Sequence, residues 1–446
     1  MPKLKTLALN LVFATAWIGS PAFALNIVLH PDAGFTNASN GAAALNAFQK
    51  AANYWNQVIT TSSTLDFDIH FGDLGSDVLG GTYSNTYDTL ASTTYAQMGV
   101  KSQSSLDAIA VSNLRPLTAA GGVGYRGPGT DPNTGLLTAT TAGSQFDNND
   151  SYNNLFINAN TAVNKALGIG VDYGNSLFRL INDANAADPS FVPLNIYRDG
   201  DITFSSTFAF DFDPTDGVSV GTYDFVGVAI HEIGHALGFV SGTDDYDSAY
   251  VEAFTKSEVD QTSVLTNLDL FRYGSNAFGA DGVRQLQLDP NREALFSIDT
   301  LKPFGLASGS AAVFATGANY GDGAQASHWK DAYSYLSGPN GCVVDINPIG
   351  VMDPTIGACV LDAVSANDLA AFDAIGYNVA VDVLNNSQYK FTTAQAFLLP
   401  DPSSSVPEPA SWAMLIAGFG AIGVTLRRRR AVSFVKPVRT TTAVTQ

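Results

Sequence analysis

The stretch Gly221-Thr-Tyr-Asp-Phe-Val-Gly-Val-Ala-Ile-His231-Glu232-Ile-Gly-His235-Ala-Leu-Gly238-Phe239 constrains the fold of this chain more than any other. Residues four apart share one face of an α-helix, so His231 and His235 project side by side and can bind one metal ion, while Glu232 sits about 100° round the axis. That offset suits a general base beside a metal-bound water. Phe225, Ala229, Ile233, Ala236, Leu237 and Val240 form a separate apolar stripe. The helix is therefore expected to bury one side in a core and turn its histidines towards a cleft.

This run resembles the active-site helix of the metzincin zinc peptidases, where a Gly at the position of Gly238 lets the helix stop and the chain turn. The resemblance implies an α/β fold over roughly residues 25 to 380: a mixed zincin-like sheet, an active-site helix, an inserted subdomain and a C-terminal helix. It also implies a Zn2+ cofactor, a protein or peptide substrate, and hydrolysis through a zinc-bound water with Glu232 as general base. A catalytic zinc takes three protein ligands and keeps one position open. The commonest metzincin pattern has its third ligand, a His, three residues after the Gly. Ser241 stands there in this chain.

One histidine remains downstream, in Gln325-Ala-Ser-His328-Trp329-Lys330. The leishmanolysin-like subgroup places a long segment before a third ligand found in a His-Trp context, and this sequence is similar, with residues 241–327 as the inserted segment. Asp245 competes for the role, in a Gly-Thr-x-Asp run that resembles the aspzincin ligand, and so do Glu252 and Glu258 at gluzincin-like spacings. Asn347-Pro-Ile-Gly-Val-Met352-Asp-Pro354 resembles the Met-turn, which puts a thioether under the metal as an apolar floor. No Tyr follows it closely as an extra oxyanion donor.

Cys342 and Cys359 bracket this turn and are the chain's two cysteines. In an exported protein they are expected to form a disulfide, worth about 3 kcal/mol for a loop of about 18 residues. A cysteine-switch prodomain is excluded. Export itself is written at the N-terminus: Lys3 and Lys5, an apolar run from Leu7 to Ile18, then Ala22-Phe23-Ala24, a signal peptide cleaved before Leu25.

At the other end Val406-Pro407-Glu408-Pro409-Ala410 leads into an uncharged stretch to Leu426 and then Arg427 to Arg430. The stretch from Ala410 reaches about 26 Å as a helix, the short end of a bilayer span, and the arginines hold its end on the cytoplasmic side. This order of parts resembles the PEP-CTERM sorting signal of bacterial exported proteins, read by an exosortase. It implies a transient membrane anchor, then the cell surface or the extracellular matrix. The organisation expected is a signal peptide (1–24), a catalytic domain (25–385), a tail and linker (386–405), a sorting and transmembrane segment (406–430) and an extension (431–446).

Residues 25–409 hold 41 acidic against 14 basic residues, a net charge of −27. This argues against a nucleic-acid partner and is compatible with bound Ca2+. Asp211-Phe-Asp213-Pro-Thr-Asp216-Gly217 has the acidic spacing of a calcium loop but lacks the Gly at its sixth position and the closing Glu, so a turn is expected.

Apolar spacings of three and four at Leu45, Phe48, Ala52, Trp55 and Ile59 predict a helix, and the alternation Leu65, Phe67, Ile69, Phe71 predicts a half-buried strand. Leu25–Gly34 begins with a strand pattern. Further strands are expected at Val78–Tyr83, Leu155–Asn158, Leu194–Tyr197, Ile202–Phe212, Asn267–Tyr273 and Ala311–Ala315, with Arg115–Asn154 as loop. His30 and His70 read as surface histidines. Ser365, Asp368 and Gly376 delimit a last helix. Two rival functions stand beside the endopeptidase: a non-catalytic matrix or surface protein keeping a structural zinc helix, and a zinc hydrolase of non-peptide amides. Glu232 speaks against the first, because a structural zinc fills all four positions and has no use for a base.

Overall fold

The computed structural model describes residues 25–401, apart from 139–142, 190, 301–303, 305–310, 332–334, 338–341 and 346–347. The signal peptide, the Pro-Glu-Pro motif, the apolar stretch to Leu426, the arginine cluster and Asn347 lie outside the described residues. Among the described residues no helix is long and apolar enough to cross a membrane.

The α/β body rests on a four-stranded mixed sheet of β1 (Leu25–Pro31), β2 (Ser63–Gly72), β3 (Gly80–Ser84) and β4 (Gly200–Ser205), ordered β1-β2-β4-β3. The first three in space run parallel, and β3 is antiparallel at the edge. Parallel neighbours need a crossover. Helix α1 (Gly41–Val58) supplies it between β1 and β2, burying Ala44, Phe48, Ala51, Ala52 and Trp55. The alternation in β2 behaves as expected, with Leu65, Phe67 and Ile69 inside.

Helix α2 (Phe225–Ala236) carries the histidine motif, and its apolar stripe of Phe225, Ala229, Ile233 and Ala236 is fully buried. Trp55 of α1 donates its indole N–H to the Ile230 carbonyl at 3.1 Å, which pins the two helices together. Helix α3 (Ala366–Ile375) is capped by Ser365 as expected, with Asp368 completing a capping box, and is buried throughout.

The inserted segment does not stand apart. Its strands Arg272–Phe278, Arg284–Gln287, Ala294–Phe296 and Val313–Phe314 join Tyr125–Gly127 and Gln145–Asp147 in one six-stranded sheet. The region 115–154, expected as loop, therefore holds strands. They are two or three residues long, too short to show alternation in sequence. Leu194–Tyr197 is no strand, because the Leu194 main chain is bonded at both N–H and C=O by the Asn182 side-chain amide. Phe210–Asp211 is a separate strand from β4, and Leu268–Phe271 is a 3-10 turn ahead of its strand. Helices Ala91–Lys101, Ser105–Ser112, Thr161–Leu167 and Leu177–Ala184 were not foreseen. The folded body also runs on beyond 385: Lys390–Thr392 pairs with Ala363–Ser365, helix Thr393–Phe397 follows, and Lys50 bonds Asp401 at 2.5 Å.

The polar face of the parallel sheet is an ionic ladder. His30 meets Asp66 at 2.7 Å, and His70, 29% exposed, lies between Asp201 at 3.0 Å and Asp32 at 2.9 Å. The Asp201 hydrogen bond, helped by Asp32, raises the His70 pKa to about 9. A folded-state pKa above the unfolded value of about 6.5 gives stability that is full below that value and is lost as pH rises through about 9. Urea melts between pH 6 and 10 are expected to show this loss, and His70→Gln to flatten it.

Candidate metal centre

Helix α2 is fixed at both ends. Asp224 caps it by accepting the Gly227 N–H at 3.1 Å, and the buried Asp224 carboxylate also takes the Thr393 hydroxyl and the Asp362 N–H. At the other end Phe239 N–H bonds the Gly234 carbonyl at 3.1 Å and Gly238 N–H bonds the His235 carbonyl at 3.0 Å, a Schellman stop. Gly238 has φ +114°, and a Cβ there would lie 2.5 Å from Val163, so glycine is required. The turn swings the Phe239 carbonyl back onto the imidazole of His235.

The structure brings His231, His235 and His328 together. Their Nε2 atoms lie 3.0, 3.1 and 3.2 Å apart. Each Nδ1 faces a main-chain carbonyl: His231 to Val351 at 2.7 Å, His235 to Phe239 at 2.7 Å and His328 to Gln325 at 3.1 Å. A carbonyl only accepts, so each Nδ1 carries the proton and each Nε2 presents a lone pair. Three acceptors then converge with no donor among them, an arrangement that a cation satisfies. Burial lowers the His231 pKa to about 4 and the His328 pKa to about 3 and, with the two neighbouring imidazoles, holds that of His235 well below its ordinary value, which keeps the rings in the neutral, ligating form. Three nitrogen ligands with carbonyls behind them suit zinc.

The competing carboxylates lie elsewhere. Among the described residues the three histidines are the one group able to hold a metal ion. Asp245 and Glu252 line a different pocket, with Tyr87, Tyr152 and Leu180. Glu258 accepts the Thr255 N–H at 2.8 Å in a capping box. The carboxylates of Asp211 and Asp213 are taken up by the N–H groups of their own turn.

Met352 packs against α2 where it has no side chain, its Sδ 2.5 Å from the place of a Cβ on Gly234. Asp368 holds the turn: it accepts Val351 N–H at 2.9 Å, Met352 N–H at 3.3 Å and the Trp329 indole at 2.8 Å. Trp329 N–H bonds the Met352 carbonyl at 3.0 Å. One buried carboxylate thus ties together the His328 segment, the Met352 turn and α3, and by holding Val351 it steadies the carbonyl that orients His231. A Cβ on Gly350 would meet Asp368 at 2.1 Å, which explains that glycine. Sequence reasoning saw Asp368 only as a first-turn acid.

Glu232 is 4% exposed, with the Thr82 hydroxyl on its Oε2 at 2.8 Å. Burial raises its pKa to about 7, against the Thr82 bond. Gly80 lets β3 come this close, since a Cβ there would lie 2.7 Å from Oε1. The cleft beside it, about 1050 Å³, is lined by residues 76–82, by Val228, His231, Glu232 and His235 of α2, and by most of residues 348–363. Cys342 and Cys359 are bonded, with Cα atoms 5.4 Å apart, and Cys359 is part of that lining. Replacing both cysteines with Ser is expected to lower Tm without changing the metal content, and thiol titration of the native protein to find no free thiol.

Residues 405–430 match the PEP-CTERM protein-sorting motif. A signal of this type is read by exosortase and directs an exported protein towards the cell surface or extracellular space. No curated protein and no solved structure gives a match to the chain.

Proposed function

We propose that this chain is an exported zinc-dependent endopeptidase of metzincin-like, leishmanolysin-like organisation. The observation that carries the reading is the convergence of three neutral imidazole Nε2 atoms beside the buried Glu232 carboxylate, in the lining of an open cleft. Zinc, when bound, supplies a charge that lowers the pKa of water towards about 7 and polarises a carbonyl. His231, His235 and His328 hold the ion. Glu232 takes the proton of the attacking water at its carboxylate and returns it to the leaving amine, with Thr82 keeping Oε2 in place.

A peptide is favoured over a non-peptide amide because β3 ends its sheet, leaving a strand edge beside the cleft to which an extended segment can hydrogen-bond. A base must be ionised, so hydrolysis is expected to fall as pH drops through the Glu232 pKa, which bound zinc brings below about 7. Metal analysis of the exported protein with a casein-hydrolysis assay tests the proposal. Zinc near one per chain and activity lost to a chelator and restored by zinc are expected. A zinc-free protein, or one whose activity ignores the chelator, refutes it.

A further inference from the structure

We infer that Asp244 is the positioning residue for the third metal ligand: its carboxylate clamps the loop that carries His328 to the first turn of the helix Thr243–Val251, which follows α2. This rests on the metal-site reading above. His231 and His235 belong to one helix, so their spacing is set by local geometry. His328 arrives from 93 positions beyond His235, and the partner of its Nδ1, Gln325, belongs to its own loop. The ring therefore keeps its place relative to α2 only as well as the loop is anchored.

On the C-terminal side Trp329 anchors the loop through Met352 and Asp368. On the N-terminal side the anchor is Asp244. Its Oδ1 accepts the Ala326 N–H at 2.6 Å, and its Oδ2 accepts the Ser327 N–H at 3.0 Å and the Ser327 hydroxyl at 2.5 Å. Ser327 Oγ in turn accepts the Ser241 N–H at 2.9 Å, so the start and the end of the inserted segment are stapled one residue from the ligand.

Asp244 is itself held from behind. Ser241 Oγ and Gly242 N–H both bond Asp269, which is fully buried, at 2.6 and 2.8 Å. Gly242 has no room for a side chain, its Cβ position lying 1.5 Å from the Val264 carbonyl oxygen. Arg272, 1% exposed, donates to the carbonyls of Ala326 at 3.3 Å, Ala315 at 2.7 Å and Gln287 at 3.2 Å, and its charge is balanced by Asp269 and Asp244. Ala326 is thus bonded at its N–H by Asp244 and at its carbonyl by Arg272. Loss of the carboxylate leaves two N–H donors unpaired and frees the peptide from which His328 hangs. Partners bonded directly to a ligand ring are worth roughly 10–100-fold in metal affinity, which sets the scale for a residue that holds the ligand's loop.

The test is chelator competition for zinc on the full chain, with the visible spectrum of the Co2+ form as a second readout. Asp244→Ala is expected to weaken zinc by roughly 10–100-fold and to alter the Co2+ spectrum, with a cooperative melt retained. Asp244→Asn, which keeps one acceptor, is expected to fall between, and Asp245→Ala to match the wild type. Wild-type zinc affinity in Asp244→Ala overturns the inference while leaving the metal site standing; a wild-type chain that binds no zinc overturns both. Should Asp244→Ala fail to melt cooperatively, Ser327→Ala decides. It removes both bonds of the hydroxyl, to Asp244 and from the Ser241 N–H, and zinc affinity unchanged there and in Asp244→Asn rejects the clamp.

Discussion

Glu232→Gln is expected to abolish peptide hydrolysis while zinc stays near one per chain. The substitution keeps the size and the Thr82 contact of the side chain and removes its capacity to take a proton. General-base contributions are typically 10²–10⁴-fold, and a buried amide has no alternative route for the proton, so a loss at the upper end, about 10⁴-fold, is expected. The three imidazoles are untouched, because each is oriented by a main-chain carbonyl and none by Glu232. Stability of the metal-free protein should rise slightly at neutral pH, since the substitution removes a carboxylate whose ionisation is opposed by burial. Activity and zinc content measured on one preparation separate the outcomes: hydrolysis persisting in a zinc-replete Glu232→Gln chain would falsify the assigned role.

The parts of the molecule legible in the sequence are those whose geometry is local. The placement of His231, Glu232 and His235 follows from the 3.6-residue period alone, as does the buried stripe opposite, and α1 and β2 show their periods over several consecutive repeats. The Schellman stop is visible in Gly238 because few other residues tolerate its φ. What stayed hidden depends on distant chain. Asp244 and Asp368 are two of 41 acidic residues, and nothing near them in sequence tells that one bonds residues 326 and 327 and the other residues 351 and 352. The six-stranded sheet draws strands from residues 125 to 314, several of them two or three residues long, so its pairing carries no periodic signal. The chain after 385 read as a strand-like tail, and Lys390–Thr392 is a strand, but nothing in the sequence showed that Thr393 reaches the Asp224 carboxylate that caps α2.

His328→Ala is the larger test of the centre. Sequence left four candidates for the third ligand: His328, Asp245, Glu252 and Glu258. The imidazole of His328 stands 3.1 Å from that of His235 and 3.2 Å from that of His231, Nε2 to Nε2, whereas Asp245 and Glu252 face another pocket and Glu258 caps a turn. Removing a direct ligand must cost more than removing an outer partner, so a loss beyond about 100-fold in zinc affinity is expected, with hydrolysis abolished at ordinary zinc concentrations. Fold stability without metal should change little or even rise. In the metal-free protein three converging lone pairs repel one another, and alanine relieves that repulsion at the cost of a cavity the cleft can fill with water. The expected pattern is therefore opposite in sign for the two states: apo Tm unchanged or higher, and the zinc-induced rise in Tm lost. Asp245→Ala, Glu252→Ala and Glu258→Ala should each keep that rise in full. A zinc-dependent rise in Tm that survives in His328→Ala and disappears in one of the three carboxylate variants would move the third ligand to that carboxylate, while His231, Glu232 and His235 would keep their roles, which rest on one helix.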